Sequence, residues 1–217
     1  MLVNLSEKHS LINNWISELR NTDLQNDRMR FRRNLERIGE VIAYEISKLL
    51  PWEETEVQTP LGIHTSKVLK DQPVLATILR AGLPLHQGLL NYFDKADNGF
   101  ISAYRKHHRD GNFEIEMEYI TCPPLEGRIL IISDPMLATG ASMIKTIKAL
   151  KSEGEPKQLH IVCAIASTVS IEYILLELGD SVNIWCGDID DEITAKGYIV
   201  PGLGDAGDLA FGIKSQS

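Results

Sequence analysis

The sequence predicts an α/β fold: a mostly parallel twisted sheet flanked by helices. Two observations carry this. Short apolar runs suited to buried strands recur at residues 74–79, 129–133, 159–166 and 182–186, and helical spacing fills 83–93, 142–152 and 170–178 between them. Strands that alternate with helices line up in parallel and are covered on both faces. Ahead of them, 5–20 has helical spacing. Residues 31–50 form the stronger N-terminal helix, with Leu35, Ile38, Ile42, Ile46 and Leu49 on one stripe and Pro51 to stop it. One stretch breaks the alternation. Residues 100–106 and 113–120 flank Asp110-Gly111, a dipeptide suited to a tight turn, and in the second arm Phe113, Ile115, Met117 and Tyr119 alternate with Glu114, Glu116 and Glu118. A protruding β-hairpin of about 100–120 with one apolar face must cover something, either this domain's own core or a second subunit.

At 217 residues the chain has room for one domain with a sizeable core or for two small ones; no repeat, low-complexity tract or long linker is visible, and one domain over 1–217 is expected. A net charge of −8 argues against nucleic acid as a partner, because phosphate backbones are bound by clustered Lys and Arg. An anionic substrate then needs a local positive site or a metal ion. Cys122, Cys163 and Cys186 are widely spaced, without metal-ligand spacing, which suits free thiols in a reducing cytoplasm. Apolar runs such as 129–132 are far too short to span a bilayer, and the first residues lack a signal-peptide core, so no membrane association and a cytoplasmic location are expected.

Three motifs bear on chemistry. In Ile131-Ile132-Ser133-Asp134-Pro135-Met136-Leu137-Ala138-Thr139-Gly140-Ala141-Ser142 an apolar strand runs into an aspartate, a loop of small and hydroxyl residues, and a helix. Free N–H groups at the helix start, helped by Thr139 and Ser142, can hold a phosphate, and Asp134 can accept from sugar hydroxyls. An ordinary capped strand–helix turn is the competing account, and the residues alone leave the two even. The second motif, Tyr198-Ile199-Val200-Pro201-Gly202-Leu203-Gly204-Asp205-Ala206-Gly207-Asp208, contains a literal G-x-G-x-x-G. It lacks the following helix and distant acidic residue of a dinucleotide site, so a backbone pocket for a flat ligand is the better account, with a Gly/Asp-rich surface turn as the bland one. The third is Arg80-Ala81-Gly82 at a strand end; its guanidinium fork suits a diphosphate, although a solvated surface charge is the commoner fate of one arginine. His107-His108 beside Arg105 and Arg109 has no third ligand at metal spacing.

The run Asp134-Pro135-Met136-Leu137-Ala138-Thr139-Gly140 closely resembles the phosphoribosyl diphosphate (PRPP) loop of uracil phosphoribosyltransferases, and 198–208 resembles that family's uracil-binding segment almost residue for residue. Phe31-Arg32-Arg33, Ala43-Tyr44-Glu45, Glu56-Val57-Gln58-Thr59-Pro60-Leu61-Gly62 and the Arg80 turn occur in the family's order, so the likeness spans the chain from Ser6 to Lys214. Three motifs in the right order are far more specific than one. The resemblance implies a type I phosphoribosyltransferase fold and transfer of phosphoribose from PRPP to uracil. It implies Mg²⁺ carried by PRPP rather than bound directly by the protein, a homodimer or homotetramer joined by a β-arm, and GTP as a candidate effector.

It also implies roles. Arg80, Arg105, Asp205 and the loop Asp134, Pro135, Met136, Leu137, Ala138, Thr139, Gly140, Ala141 and Ser142 would bind PRPP. Ile199, Gly204, Asp205 and Ala206, within 196–214, would bind uracil through main-chain groups. Asp134, Asp205 and Arg105 would stand nearest the reacting atoms. Ala141 departs from a second glycine, Lys106-His107-His108 from acidic residues, and Leu209 from an arginine common in the family. The alternative from another class is a non-enzymatic PRPP or nucleotide sensor on the same fold; the acidic charge and intact 202–208 segment favour the enzyme.

Overall fold

The structure, a computed structural model, describes residues 1–107, 113–179 and 181–214, with backbone only for 103–107 and 113–118. In chain order the elements are β1 (Leu2–Asn4), α1 (Leu11–Arg20), α2 (Arg28–Ser47), β2 (Trp52–Thr59), β3 (Gly62–Leu69), β4 (Val74–Leu79), α3 (Leu83–Tyr92), β5 (Asp97–His107), β6 (Phe113–Thr121), β7 (Ile129–Ser133), β8 (Met136–Leu137), α4 (Ala141–Leu150), β9 (Gln158–Ser167), α5 (Thr168–Leu178), β10 (Val182–Asp190), β11 (Glu192–Ile193), β12 (Ile199–Val200) and α6 (Ala206–Phe211). The central sheet runs β1-β10-β9-β7-β4-β5-β6, with β8 also on β9. Every pairing in it is parallel except β5 with β6.

Alternation along the buried strands divides two cores. Leu75, Ile129, Ile131 and Val162 face α1, α2, α3 and α6, while Ala76, Leu130, Ile132 and Ile161 face α4 and α5. This two-sided burial is why the strands read as continuous apolar runs.

Strands β4 and β7 have the expected bounds. The N-terminal helices differ. Residues 5–20 split into a 3₁₀ turn, Leu5–Glu7, and α1, because Ser10 starts a new helix. Its hydroxyl accepts from the Ile12 N–H at 3.2 Å while its own N–H donates to Asn13 Oδ1 at 2.8 Å, a reciprocal cap. Helix α2 begins earlier than residue 31 because Asp27 Oδ1 accepts from the Arg30 N–H at 3.0 Å, and it ends at Ser47. Strand β1 and the β2–β3 hairpin carry no sequence signal. The first is three residues long, and the second is exposed on both faces. The expected hairpin forms as β5–β6 at the sheet edge. Its Asp110-Gly111 turn and the side chains of Phe113, Ile115 and Met117 lie outside the described residues; Tyr119, on the same alternation, is exposed.

One buried histidine sets a pH dependence. His160 on β9 is fully enclosed; the Trp185 Nε1–H donates to its Nδ1 at 3.2 Å, and its Nε2 has no partner among the described residues. Burial pushes its pKa down to about 4 from the ordinary 6.5. Between those values the unfolded chain takes up a proton that the folded one refuses. The stabilisation is therefore complete above pH 6.5 and is lost as pH falls toward 4. Between pH 7 and pH 5 the protein is expected to lose about 2 kcal/mol that a His160→Gln variant retains, read by urea unfolding at both pH values. Equal losses in both proteins would show that His160 titrates normally.

Candidate active site

Parallel strands deliver their carboxyl ends to one side of the sheet, and β4 and β7 are neighbours there. The Thr77 hydroxyl donates to the Ser133 carbonyl at 3.1 Å, and the Ser133 hydroxyl donates to Thr77 Oγ1 at 3.0 Å. This buried lock fixes the two strand ends that carry Arg80 and Asp134. Gly82 completes it, since a Cβ there would lie 2.1 Å from Thr77 Oγ1.

Beyond β7, Asp134 donates its N–H to the Val162 carbonyl at 3.0 Å and accepts from the Met136 N–H at 3.3 Å. Met136 and Leu137 form β8, so part of the loop is strand. The Ser167 hydroxyl donates to the Ala138 carbonyl at 2.5 Å, and the Ser170 hydroxyl to that of Leu137 at 2.7 Å. These bonds hold loop carbonyls toward β9 and α5. The Ala141 N–H donates to Thr139 Oγ1 at 3.4 Å, and the N–H groups that follow it in the first turn of α4, which have no intrahelical acceptor, are suited to an anion. The helix starts at Ala141, not Ser142, and Gly140 at φ +76° is its boundary residue. The positive φ of Gly140 favours glycine, and a Cβ there would also sit tightly, 3.2 Å from the Ser170 carbonyl. Ala141 is helical, and no described non-glycine residue has positive φ; the departure at 141 costs no strain.

The C-terminal segment folds back on this end. Ile199, Leu203, Ala206 and Ala210 are buried in the apolar core and anchor it. Asp205 caps α6, its Oδ1 accepting from the Asp208 N–H at 3.0 Å, while its Oδ2 lies 3.5 Å from Lys214 Nζ. Arg80 Nη2 donates to Asp208 Oδ1 at 3.2 Å and to the Gly212 carbonyl at 3.3 Å, joining the strand-end turn to the glycine-rich segment. Arg105 is on β5, three residues past the last pairing with β4; its side chain lies outside the described residues.

The structure thus sets Arg80 and Asp134, with the 138–142 loop, at the neighbouring carboxyl ends of β4 and β7, and ties Arg80 to the 199–208 segment through Asp208. Asp208 as the partner of Arg80 was missed because an ion pair across 128 residues has no local pattern. Arg20 and Asp190 were missed as well. The Arg20 guanidinium donates to both oxygens of Asp190 at 2.8 Å, to Asp188 Oδ2 at 2.8 Å and to the Gly202 carbonyl at 3.0 Å. Burial works against the charge on Arg20, but the two carboxylates outweigh it and hold its pKa above the ordinary value. Among the described residues, no cluster of three or more His, Cys, Asp or Glu is placed to hold a metal ion.

Comparison with known proteins matches this architecture. The family model "Uracil phosphoribosyltransferase" covers residues 6–213. A uracil phosphoribosyltransferase of Porphyromonas gingivalis is 53% identical over 98% of this chain and 99% of that protein, and one from Methanothermobacter thermautotrophicus is 40% identical over 86% and 85%. The solved structure of the AQ2163 protein from Aquifex aeolicus superposes with a TM-score of 0.87 over the whole of both chains, at 31% identity. With the motifs in order, the strand ends assembled and the match running almost end to end, the chain belongs to the uracil phosphoribosyltransferase family.

Proposed function

We propose that this chain transfers the phosphoribosyl group of PRPP to uracil, giving UMP and diphosphate. The observations that support this most are the helix-start anion loop after the strand-end Asp134, on the strand next to β4, and the Arg80–Asp208 pair that joins the end of β4 to the glycine-rich segment. N1 of uracil attacks C1 of the ribose and gives up its proton, and the C1–O bond breaks with its electron pair leaving on diphosphate. Bond breaking runs ahead, leaving an oxocarbenium-like sugar, so the protein acts by positioning and by stabilising charge. In this reading residues 138–142 hold the 5-phosphate, Asp134 accepts from the ribose hydroxyls, and Arg80 and Arg105 face the diphosphate. Ile199 and residues 204–206 bind uracil through main-chain groups, with Asp205 beside the ribose. Mg²⁺ arriving with PRPP would supply positive charge to the leaving group, carried by the diphosphate rather than held by protein carboxylates.

Backbone recognition predicts base selectivity. Uracil presents acceptors at O2 and O4 and a donor at N3, whereas cytosine sets an amino donor against a buried N–H. UMP formation is expected with uracil, while cytosine, hypoxanthine and orotate react at least about 10³-fold more slowly at equal concentration. PRPP binding without turnover on any base, with GTP added as activator, would instead favour the sensor. We read the assembly as a cytoplasmic homodimer or homotetramer. Leu61 and Ile63 on the β2–β3 arm and Tyr119 and Ile120 on the β5–β6 edge are exposed apolar side chains of the kind a second subunit covers.

A further inference from the structure

We infer that Arg20 and Asp190 are positioning residues for base recognition, clamping the N–H and the carbonyl of Gly202 so that the segment after it keeps a uracil-binding shape. This rests on the function proposed above. Asp190 Oδ2 accepts from the Gly202 N–H at 3.0 Å, and Arg20 Nη1 donates to the Gly202 carbonyl at 3.0 Å. The same carboxylate and guanidinium are joined to each other at 2.8 Å by both arms of the fork, so the clamp is a closed ring of charge-assisted bonds around one residue. Asp188 and Ser6 brace it from outside: Arg20 Nη2 donates to Asp188 Oδ2 at 2.8 Å, and the Ser6 hydroxyl to Asp188 Oδ1 at 2.5 Å.

The clamped residue leads into the segment that needs it. Residues 201–205 belong to no helix or strand and include Gly202 and Gly204, both at positive φ, so this stretch has backbone freedom to lose. A main-chain pocket discriminates between bases only if its N–H and C=O groups are already aimed. Gly202 also has no room to change, because a Cβ would lie 2.2 Å from the Ile199 carbonyl. The clamp reaches this point from the end of α1 and the end of β10, elements outside the PRPP loop. Its loss should therefore act first on the base, and on PRPP only to the smaller extent that Asp205, at the end of the same stretch, shifts with it.

The test compares Arg20→Lys and Asp190→Asn with Asp188→Asn. Lysine keeps the charge but cannot bridge Asp190, Asp188 and the Gly202 carbonyl together; asparagine at 190 keeps the shape and removes the charge. Steady-state kinetics should show the KM for uracil rising about tenfold in the first two variants, with the KM for PRPP rising at least about threefold less than that for uracil. Amide hydrogen exchange across 199–205 should quicken while β7 and β9 stay protected. Asp188→Asn, which leaves both bonds to Gly202, should leave both readouts near wild type. Unchanged uracil KM, or uracil and PRPP KM rising together with a lowered Tm, would overturn the proposal, as would failure of both clamp variants to fold. If wild-type protein makes no UMP, the function reading fails, and the exchange result alone decides whether the clamp holds the segment.

Discussion

Replacement of Asp134 by asparagine is expected to lower kcat/KM for PRPP by about 10²-fold with little change in Tm. A carboxylate that accepts from sugar hydroxyls makes charge-assisted bonds, each contributing roughly 1.5–3 kcal/mol, and the amide loses that advantage and turns a donor toward one hydroxyl. Asparagine keeps an oxygen for the Met136 N–H, so the loop after β7 should hold its shape. Steady-state assays with PRPP varied at saturating uracil, together with a thermal melt, check both halves. Wild-type turnover and PRPP affinity in this variant would remove Asp134 from the ribose.

The largest expected loss of stability is at Gly88. Helices α2 and α3 cross at Gly39 and Gly88; a Cβ on Gly88 would lie 2.0 Å from the Glu36 carbonyl oxygen and 2.8 Å from the Glu40 nitrogen, and one on Gly39 would lie 2.3 Å from the Leu85 carbonyl oxygen. These neighbours are backbone, so no rotamer change relieves the clash and the helices must part. Overpacking of this kind costs about 3 kcal/mol, and Gly88→Ala should lower Tm by roughly 6–12 °C in a chain of this size. Gly127, at φ +67° with open space around it, is the control: alanine there should cost only about 1 kcal/mol of backbone strain. Similar shifts at both positions would mean that the helix crossing adapts.

The departures from the family pattern differ in consequence. Ala141 is helical and carries no penalty. Leu209, on α6, is partly buried against the apolar core, a place that suits leucine physically. The side chains of Lys106 and His107, and all of His108, lie outside the described residues.

The parallel α/β core was legible because its strands are buried on both faces, and such strands are apolar throughout whatever their neighbours. The Asp134 loop and the 198–208 segment were legible because their chemistry is contiguous: an aspartate, small residues and glycines whose backbone roles depend on their immediate neighbours. The break before α1 turned on Ser10, a local cap outweighed by the apolar spacing around it. Strand β1 and the β2–β3 arm have no apolar alternation to read, since one is an edge addition and the other is exposed. The Arg80–Asp208 pair and the Arg20–Asp190–Gly202 clamp join residues 128, 170 and 182 positions apart. Short-range pattern in this sequence determined the elements and the reactive loops, because propensity and periodicity act between neighbours. Which charged side chain holds which loop was decided only by the tertiary structure, because an ion pair depends on distance in space and leaves no period in the chain.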